Sequence, residues 1–175
     1  MKLIIAILLI FFLQTVNSKN ISIDLIKNKS EKEKITQKIE KNYKDAFVSN
    51  SQIFEMTYFK TQFFIAAVME FGGDKPRGCY VQKLDSNYEL QEFLPAASIE
   101  DQSCSAILAI YACENDKFVG VGSISQMKFG ANNFHPQGAF FNINSNFEMQ
   151  ENKKLSEKLE VIGTVKEAKK ELECH

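Results

Sequence analysis

The residues that decide the fold are Gln52-Ile-Phe-Glu-Met-Thr-Tyr58 and, after Lys60-Thr-Gln62, the run Phe63-Phe-Ile-Ala-Ala-Val-Met-Glu-Phe71. In the first stretch Phe54, Met56 and Tyr58 alternate with Glu55 and Thr57, the two-residue period of a half-buried strand. The second is apolar on both faces, as expected of a central strand covered on each side. Gly72-Gly-Asp-Lys-Pro76 then supplies a turn cluster. A β core therefore opens near residue 52.

Three hairpin-like pairs carry that core onward to about residue 150. Cys79–Leu84 and Tyr88–Leu94 flank Asp85-Ser-Asn87, and Ala106–Cys113 and Phe118–Ile124 flank Glu114-Asn-Asp-Lys117. Ala139–Ile143 and Phe147–Gln150 flank Asn144-Ser-Asn146. Asn, Asp and Ser favour such linkers because their side chains bond the local backbone and tolerate left-handed conformations. The pattern predicts an antiparallel meander of about six to eight strands. Ser98–Cys113 has a helical alternative with Ser98 as cap, and a loop followed by a strand is preferred. No internal repeat or low-complexity tract stands out.

Helical periodicity flanks the core. Ser30-Glu-Lys-Glu33 has the form of a capping box, and Ile35, Ile39, Tyr43 and Ala46/Phe47 follow at helical steps, predicting a helix over about 31–48. From Glu151 onward, Leu155, Leu159, Ile162, Val165, Ala168 and Leu172 predict an amphipathic helix over about 151–173, weakened at Gly163. The expected fold class is α+β, with both helices packed on one face of the meander and two disulfides stapling it.

The other end of the chain speaks to compartment. Lys2 precedes the unbroken apolar run Leu3–Leu13, and Val16 and Ser18 are the small residues before a cut at Lys19. Eleven apolar residues span roughly 16 Å as a helix, about half a bilayer core. Residues 1–18 are therefore expected to be a signal peptide rather than a span, and 19–175 a single secreted domain, extracellular or in a secretory-granule lumen. No later stretch suggests a membrane span after cleavage.

Four cysteines, Cys79, Cys104, Cys113 and Cys174, imply two disulfides in such a compartment. Pairing Cys104 with Cys113 is disfavoured, because nine residues of strand or helix hold their Cα atoms beyond the ~7 Å a disulfide needs. Two pairings stay open: 79–104 with 113–174, or 79–113 with 104–174. Sequons at Asn20-Ile-Ser22 and Asn28-Lys-Ser30 make Asn20 and Asn28 candidate glycosylation sites.

The chemistry-bearing residues are sparse. The chain has 21 basic and 22 acidic residues, and this balance excludes the basic excess of a nucleic-acid binder. His135 and His175 are the two histidines, with no HExxH or CxxC to make a metal centre; His135, before Pro136, reads as an exposed turn residue. Gly120-Val-Gly-Ser-Ile-Ser125 matches neither a dinucleotide loop nor a nucleophile elbow, and reads as a strand whose glycines admit close backbone approach. No catalytic set, metal site or cofactor is expected, and Glu55, Glu70, Glu89 and Glu92 form no recognisable pair.

Cys113-Glu-Asn-Asp-Lys-Phe118-Val-Gly120 resembles the hairpin signature of βγ-crystallin domains, with Cys for the initial Tyr. The resemblance covers eight residues once, without the calcium-binding segment that accompanies it in that family, so no kinship or calcium site is taken from it. A helix before an antiparallel sheet is also similar to cystatins in architecture, but Phe118-Val-Gly-Val-Gly122 lacks the Gln of their inhibitory loop. The functional expectation is a secreted non-enzymatic binding or structural module with an unknown protein partner. The alternative is a carrier holding a small apolar ligand among Phe54, Phe63, Phe93, Phe118 and Phe141; a small hydrolase or protease inhibitor ranks lower.

Overall fold

The computed structural model describes residues 20–72, 75–96, 103–129 and 133–174. The signal-peptide reading of 1–18, the tip of the Gly72–Pro76 turn, Ser98 and His175 lie outside them. Among the described residues nine strands run β1 (Ile21–Leu25), β2 (Ala46–Tyr58), β3 (Thr61–Gly72), β4 (Lys75–Asp85), β5 (Leu90–Pro95), β6 (Ser103–Glu114), β7 (Val119–Phe129), β8 (Asn133–Ile143) and β9 (Met149–Glu151). Three helices join them: α1 (Lys29–Asn42), α2 (Lys153–Glu157) and α3 (Val165–Glu171).

The strands make two antiparallel sheets, ordered β1-β2-β3-β4-β5 and β6-β7-β8-β9, in place of one meander. Side-chain alternation shows how they stack. Along β3, Phe63, Ile65, Ala67 and Met69 face the core between the sheets, whereas Phe64, Ala66 and Val68 face Ile35 and Ile39 of α1. In the second sheet Val121, Ala139 and Phe141 enter the shared core, whereas Tyr111, Ile124 and Phe140 meet Leu159, Ala168 and Leu172. The fold is thus a four-layered, β-rich sandwich, with helices on opposite outer faces rather than together on one.

The two disulfides are Cys79–Cys104 and Cys113–Cys174, one of the two open pairings. The first joins β4 to β6 between the sheets, and the second pins the C-terminal segment to the end of β6. Closing loops of 25 and 61 residues, they constrain the unfolded chain by roughly 3.5 and 4 kcal/mol. Both are consistent with an oxidising environment.

Several local expectations need correction. Asn28, not Ser30, caps α1: its Oδ1 accepts from the Ser30 and Glu31 amides at 3.0 and 3.3 Å. The helix stops at Asn42 instead of 48, because Asp45 takes a left-handed φ of 69° and Ala46–Val48 pair with Val68–Glu70. The helical spacing of Ala46 and Phe47 belongs to a strand. β1 escaped notice because five alternating residues are a short signal. The predicted helix over 151–173 is β9, α2, a turn and α3. The Gly138 amide on the edge of β8 donates to the Leu159 carbonyl at 3.0 Å, turning the chain there, and Thr164 starts a new helix by capping Glu167 N at 3.2 Å. Between β2 and β3, Phe59 and Lys60 adopt φ of 45° and 70° without a Gly or Asn to announce the turn.

The two sheets carry a repeat that does not stand out along the sequence. Asp85-Ser-Asn-Tyr-Glu-Leu-Gln-Glu92 matches Asn144-Ser-Asn-Phe-Glu-Met-Gln-Glu151. Asp85 Oδ1 accepts from Asn87 N and Glu89 N at 2.8 and 2.9 Å; Asn144 Oδ1 accepts from Asn146 N and Glu148 N at 2.8 and 3.0 Å. Tyr88 and Phe147 both adopt left-handed φ, 64° and 63°. Upstream, Met69-Glu-Phe-Gly72 corresponds to Met127-Lys-Phe-Gly130, and Pro76-Arg-Gly78 to Pro136-Gln-Gly138. Facing agrees as well, since Cys79/Ala139 and Val81/Phe141 point inward and Tyr80/Phe140 outward. Strands β2–β5 and β6–β9 are two copies of one four-stranded unit.

Candidate functional site

The second copy differs from the first in what covers it, and there the surface becomes concave. Asn115 builds one wall. Its Oδ1 accepts from Lys117 N and Phe118 N at 2.9 and 3.1 Å, shaping the β6–β7 turn, while its Nδ2 donates to the Leu172 carbonyl at 2.8 Å. Asn152 builds the other. Its backbone amide donates to Phe140 O at 2.7 Å, its Oδ1 caps α2 through Leu155 N at 3.2 Å, and its Nδ2 reaches Asn142 Oδ1 at 3.4 Å. Between them opens a groove of about 350 Å³ whose apolar lining is Phe118, Leu155 and Leu172.

The groove carries charge on its rim. Lys117, Lys154 and Lys158 line it, opposed by Glu171 and Glu173 from the end of α3. Lys117–Glu173 and Lys158–Glu171 stand at 3.9 and 4.0 Å on exposed side chains, so both pairs are weak. An ammonium above an apolar floor suits a ligand with an acidic group on an apolar stem. The Cys113–Cys174 bridge holds the chain end that contributes the acidic rim.

In one apolar cluster with Phe118, Leu155 and Leu172 lies Tyr111, 3% exposed, whose hydroxyl has no hydrogen-bond partner among the described residues. Its ring lies over Gly122, where a Cβ would come within 2.1 Å of the ring. Burial pushes the Tyr111 phenol far above its ordinary value. An unfolded tyrosine loses its proton near pH 10 while the folded Tyr111 keeps it, so stability is full below about pH 10 and falls as pH rises beyond. Tyr111→Phe is expected to raise stability at pH 8 by about 1 kcal/mol, because the unpaired hydroxyl is removed. It should also flatten the alkaline loss. Urea midpoints at pH 8 and about pH 10.5 check both effects, and a destabilised variant would show that the hydroxyl is in fact satisfied.

The five phenylalanines singled out for a ligand chamber do not share one. Phe63 and Phe141 are buried in the inter-sheet core with Phe54 packed against it. Phe93 is stacked between Tyr43 and Tyr80, both at 4.3 Å, on the α1 side. Phe118 alone reaches the groove, edge-on to Phe140 at 5.1 Å. His135 is exposed on β8, opposite Met127, rather than in a turn. The glycine-rich run is strand β7, where Gly120 and Gly122 do admit close approach, and the Ser123 and Ser125 hydroxyls donate to Ala96 O at 3.2 and 3.3 Å.

The carboxylates are dispersed. Glu89 pairs with Lys38 at 2.7 Å, and Glu70 lies beside Tyr80, whose phenol is raised first by burial and then by that charge. Glu55 adds a minor electrostatic contribution at Tyr88, whose phenol is raised mainly by its hydrogen bond to Glu31. Glu92 pairs with Lys83 in the interior. Among the described residues no group of three or more His, Cys, Asp or Glu is placed to hold a metal ion. None of the groove's lysines or asparagines was singled out from sequence, for residues 117 and 154 are brought together only by the return of the chain over β8.

Of the sequon asparagines, Asn28 is exposed, and capping uses its Oδ1, leaving the glycan-accepting Nδ2 outside that bond. Asn20 is half-buried, and its Nδ2 and backbone amide donate to Glu114 at 2.7 and 2.9 Å. Comparison with known proteins finds no family model, curated sequence or solved structure that matches this chain.

Proposed function

We propose that the protein is exported into an oxidising compartment, extracellular or a granule lumen, and acts there as a non-enzymatic binding module. Residues 1–18 serve as its signal peptide, and Asn28 is the sequon open to a glycan. The ligand site is the groove between the β6–β7 turn, α2 and α3, and its ligand carries an acidic group on an apolar stem. The observation that supports this reading is the placement of Lys117, Lys154 and Lys158 around Phe118, Leu155 and Leu172 in one concavity.

The test is a titration of the disulfide-bonded chain 19–175 with dodecanoate and, separately, with dodecanol, followed by NMR. Dodecanoate is expected to shift the Phe118, Asn152 and Leu155 amides and to lose about fivefold in affinity in Lys154→Gln, as removal of one surface ion contact implies. Equal binding of the alcohol, or shifts confined to other residues, would overturn the site. Turnover on a broad hydrolase panel, abolished by one side-chain change, would overturn the non-enzymatic reading.

A further inference from the structure

We infer that the Cys113–Cys174 disulfide is a redox latch: its reduction releases residues 164–174 alone, taking the α3 wall and Leu172 away from the groove and letting its ligand go. The two bridges differ in access. Cys79 and Cys104 are 3% and 1% exposed between the sheets, whereas the second bridge joins Cys113, 1% exposed, to a Cys174 that is half-buried. A dithiol reductant can therefore attack Cys174 Sγ, expelling the Cys113 thiolate. Its second thiolate then displaces Cys174 from the mixed disulfide, so two electrons and two protons pass to the cysteines and the reductant leaves as its own disulfide.

The two parts of the C-terminal segment are attached differently. Residues 152–159 are tied to β8 by Asn152 N to Phe140 O, Phe140 N to Ser156 Oγ, and Gly138 N to Leu159 O, at 2.7, 3.0 and 3.0 Å. α3 has seven residues, too few to persist as an isolated helix. Besides the bridge it is held by buried Ala168 and Leu172, by Val165 packed against the same cluster, by the Asn115–Leu172 hydrogen bond and by two weak ion pairs. Two open depressions border it, the groove and a second one between Val161, Ile162 and its own Glu167 and Lys170. The hinge falls at Gly163, where the nearest atoms to an added Cβ are 3.4 Å away. Departure of this segment takes Leu172, Glu171 and Glu173 out of the groove lining and leaves Phe118 and Leu155 as its apolar part, so the concavity no longer closes around an apolar stem. The effect on ligand rests on the binding reading above; the release does not.

The experiment treats the oxidised chain with graded dithiothreitol, then measures alkylation by peptide mass spectrometry and amide exchange. Cys113 and Cys174 should be alkylated first, with exchange about tenfold or more faster across 164–174 and unchanged across 152–159 and the strands. Cys113→Ser/Cys174→Ser should show the same exchange pattern without reductant. Simultaneous reduction of both bridges, retained protection of 164–174, or loosening of 152–159 would each overturn the latch. In a separate arm, dodecanoate should bind the latch-open form about tenfold more weakly, as loss of one apolar wall of the groove implies. Unchanged affinity with the exchange result intact would overturn only the effect on ligand.

Discussion

Gly120→Ala is expected to destabilise the protein by about 3 kcal/mol, the cost of forcing volume where backbone must move. A Cβ at Gly120 would come within 2.1 Å of the Phe141 carbonyl oxygen and 2.9 Å of the Phe140 ring. The ring could rotate aside, but the carbonyl belongs to β8 within the ladder that pairs Gly120 with Asn142. Strand separation would have to increase, and Phe141 is fully buried in the core shared by the sheets. For a domain of this size the loss corresponds to a fall in Tm of roughly 10 °C. Gly163→Ala is the matched control, since its nearest contacts are Pro136 Cγ and Cβ at 3.4 and 3.7 Å. It should leave Tm unchanged or raise it slightly by restricting the unfolded chain. Thermal melts of the two variants decide the matter, and a Gly120→Ala protein melting with wild type would show that β7 and β8 do not pack this closely.

The second large effect concerns the ion pair that joins the sheets. Lys83 Nζ and Glu92 Oε2 lie 3.0 Å apart on side chains only 8% and 23% exposed. Lys83 also donates to Phe147 O and lies 5.5 Å over the Phe63 ring, and Glu92 Oε1 accepts from Met149 N at 3.3 Å. Two side chains of the first sheet therefore grip the β8–β9 turn of the second. Lys83→Met and Glu92→Leu are each expected to cost about 3 kcal/mol, because each strands the other charge away from water. The double substitution should return to within about 1 kcal/mol of wild type, since apolar groups can fill the same space without a desolvation penalty. A double-mutant cycle from urea unfolding measures the coupling. Single losses below about 0.5 kcal/mol would mean the pair is solvated and does not bind the sheets together.

The ion pair also marks what a linear reading misses. Lys83 occupies a strand position whose neighbours Val81 and Cys79 face the core, so alternation places it inside, yet nothing in the chain names Glu92 and the Phe147 carbonyl as its partners. The repeat was hidden for a similar reason. Its copies are shifted by differing amounts, with Met69 matching Met127 but Pro76 matching Pro136, so no single offset aligns them, whereas equal turns and equal facing do. The groove needed the same information, because Lys117 and Lys154 become neighbours only through chain reversals at Asn144 and Asn152.

What the chain determined locally is the β character of 52–150, three hairpins with Asx-type linkers, the burial of β3 on both faces, and the disfavoured 104–113 bridge. These follow from side-chain period, turn chemistry and reach, each set within a dozen residues. Tertiary structure decided which alternating face met which layer, where the last helix broke, which cysteines paired, and which lysines shared a hollow. Such outcomes depend on contacts between distant segments, where packing and edge hydrogen bonds outweigh the weak helical preference of residues such as Ala46 or Leu159.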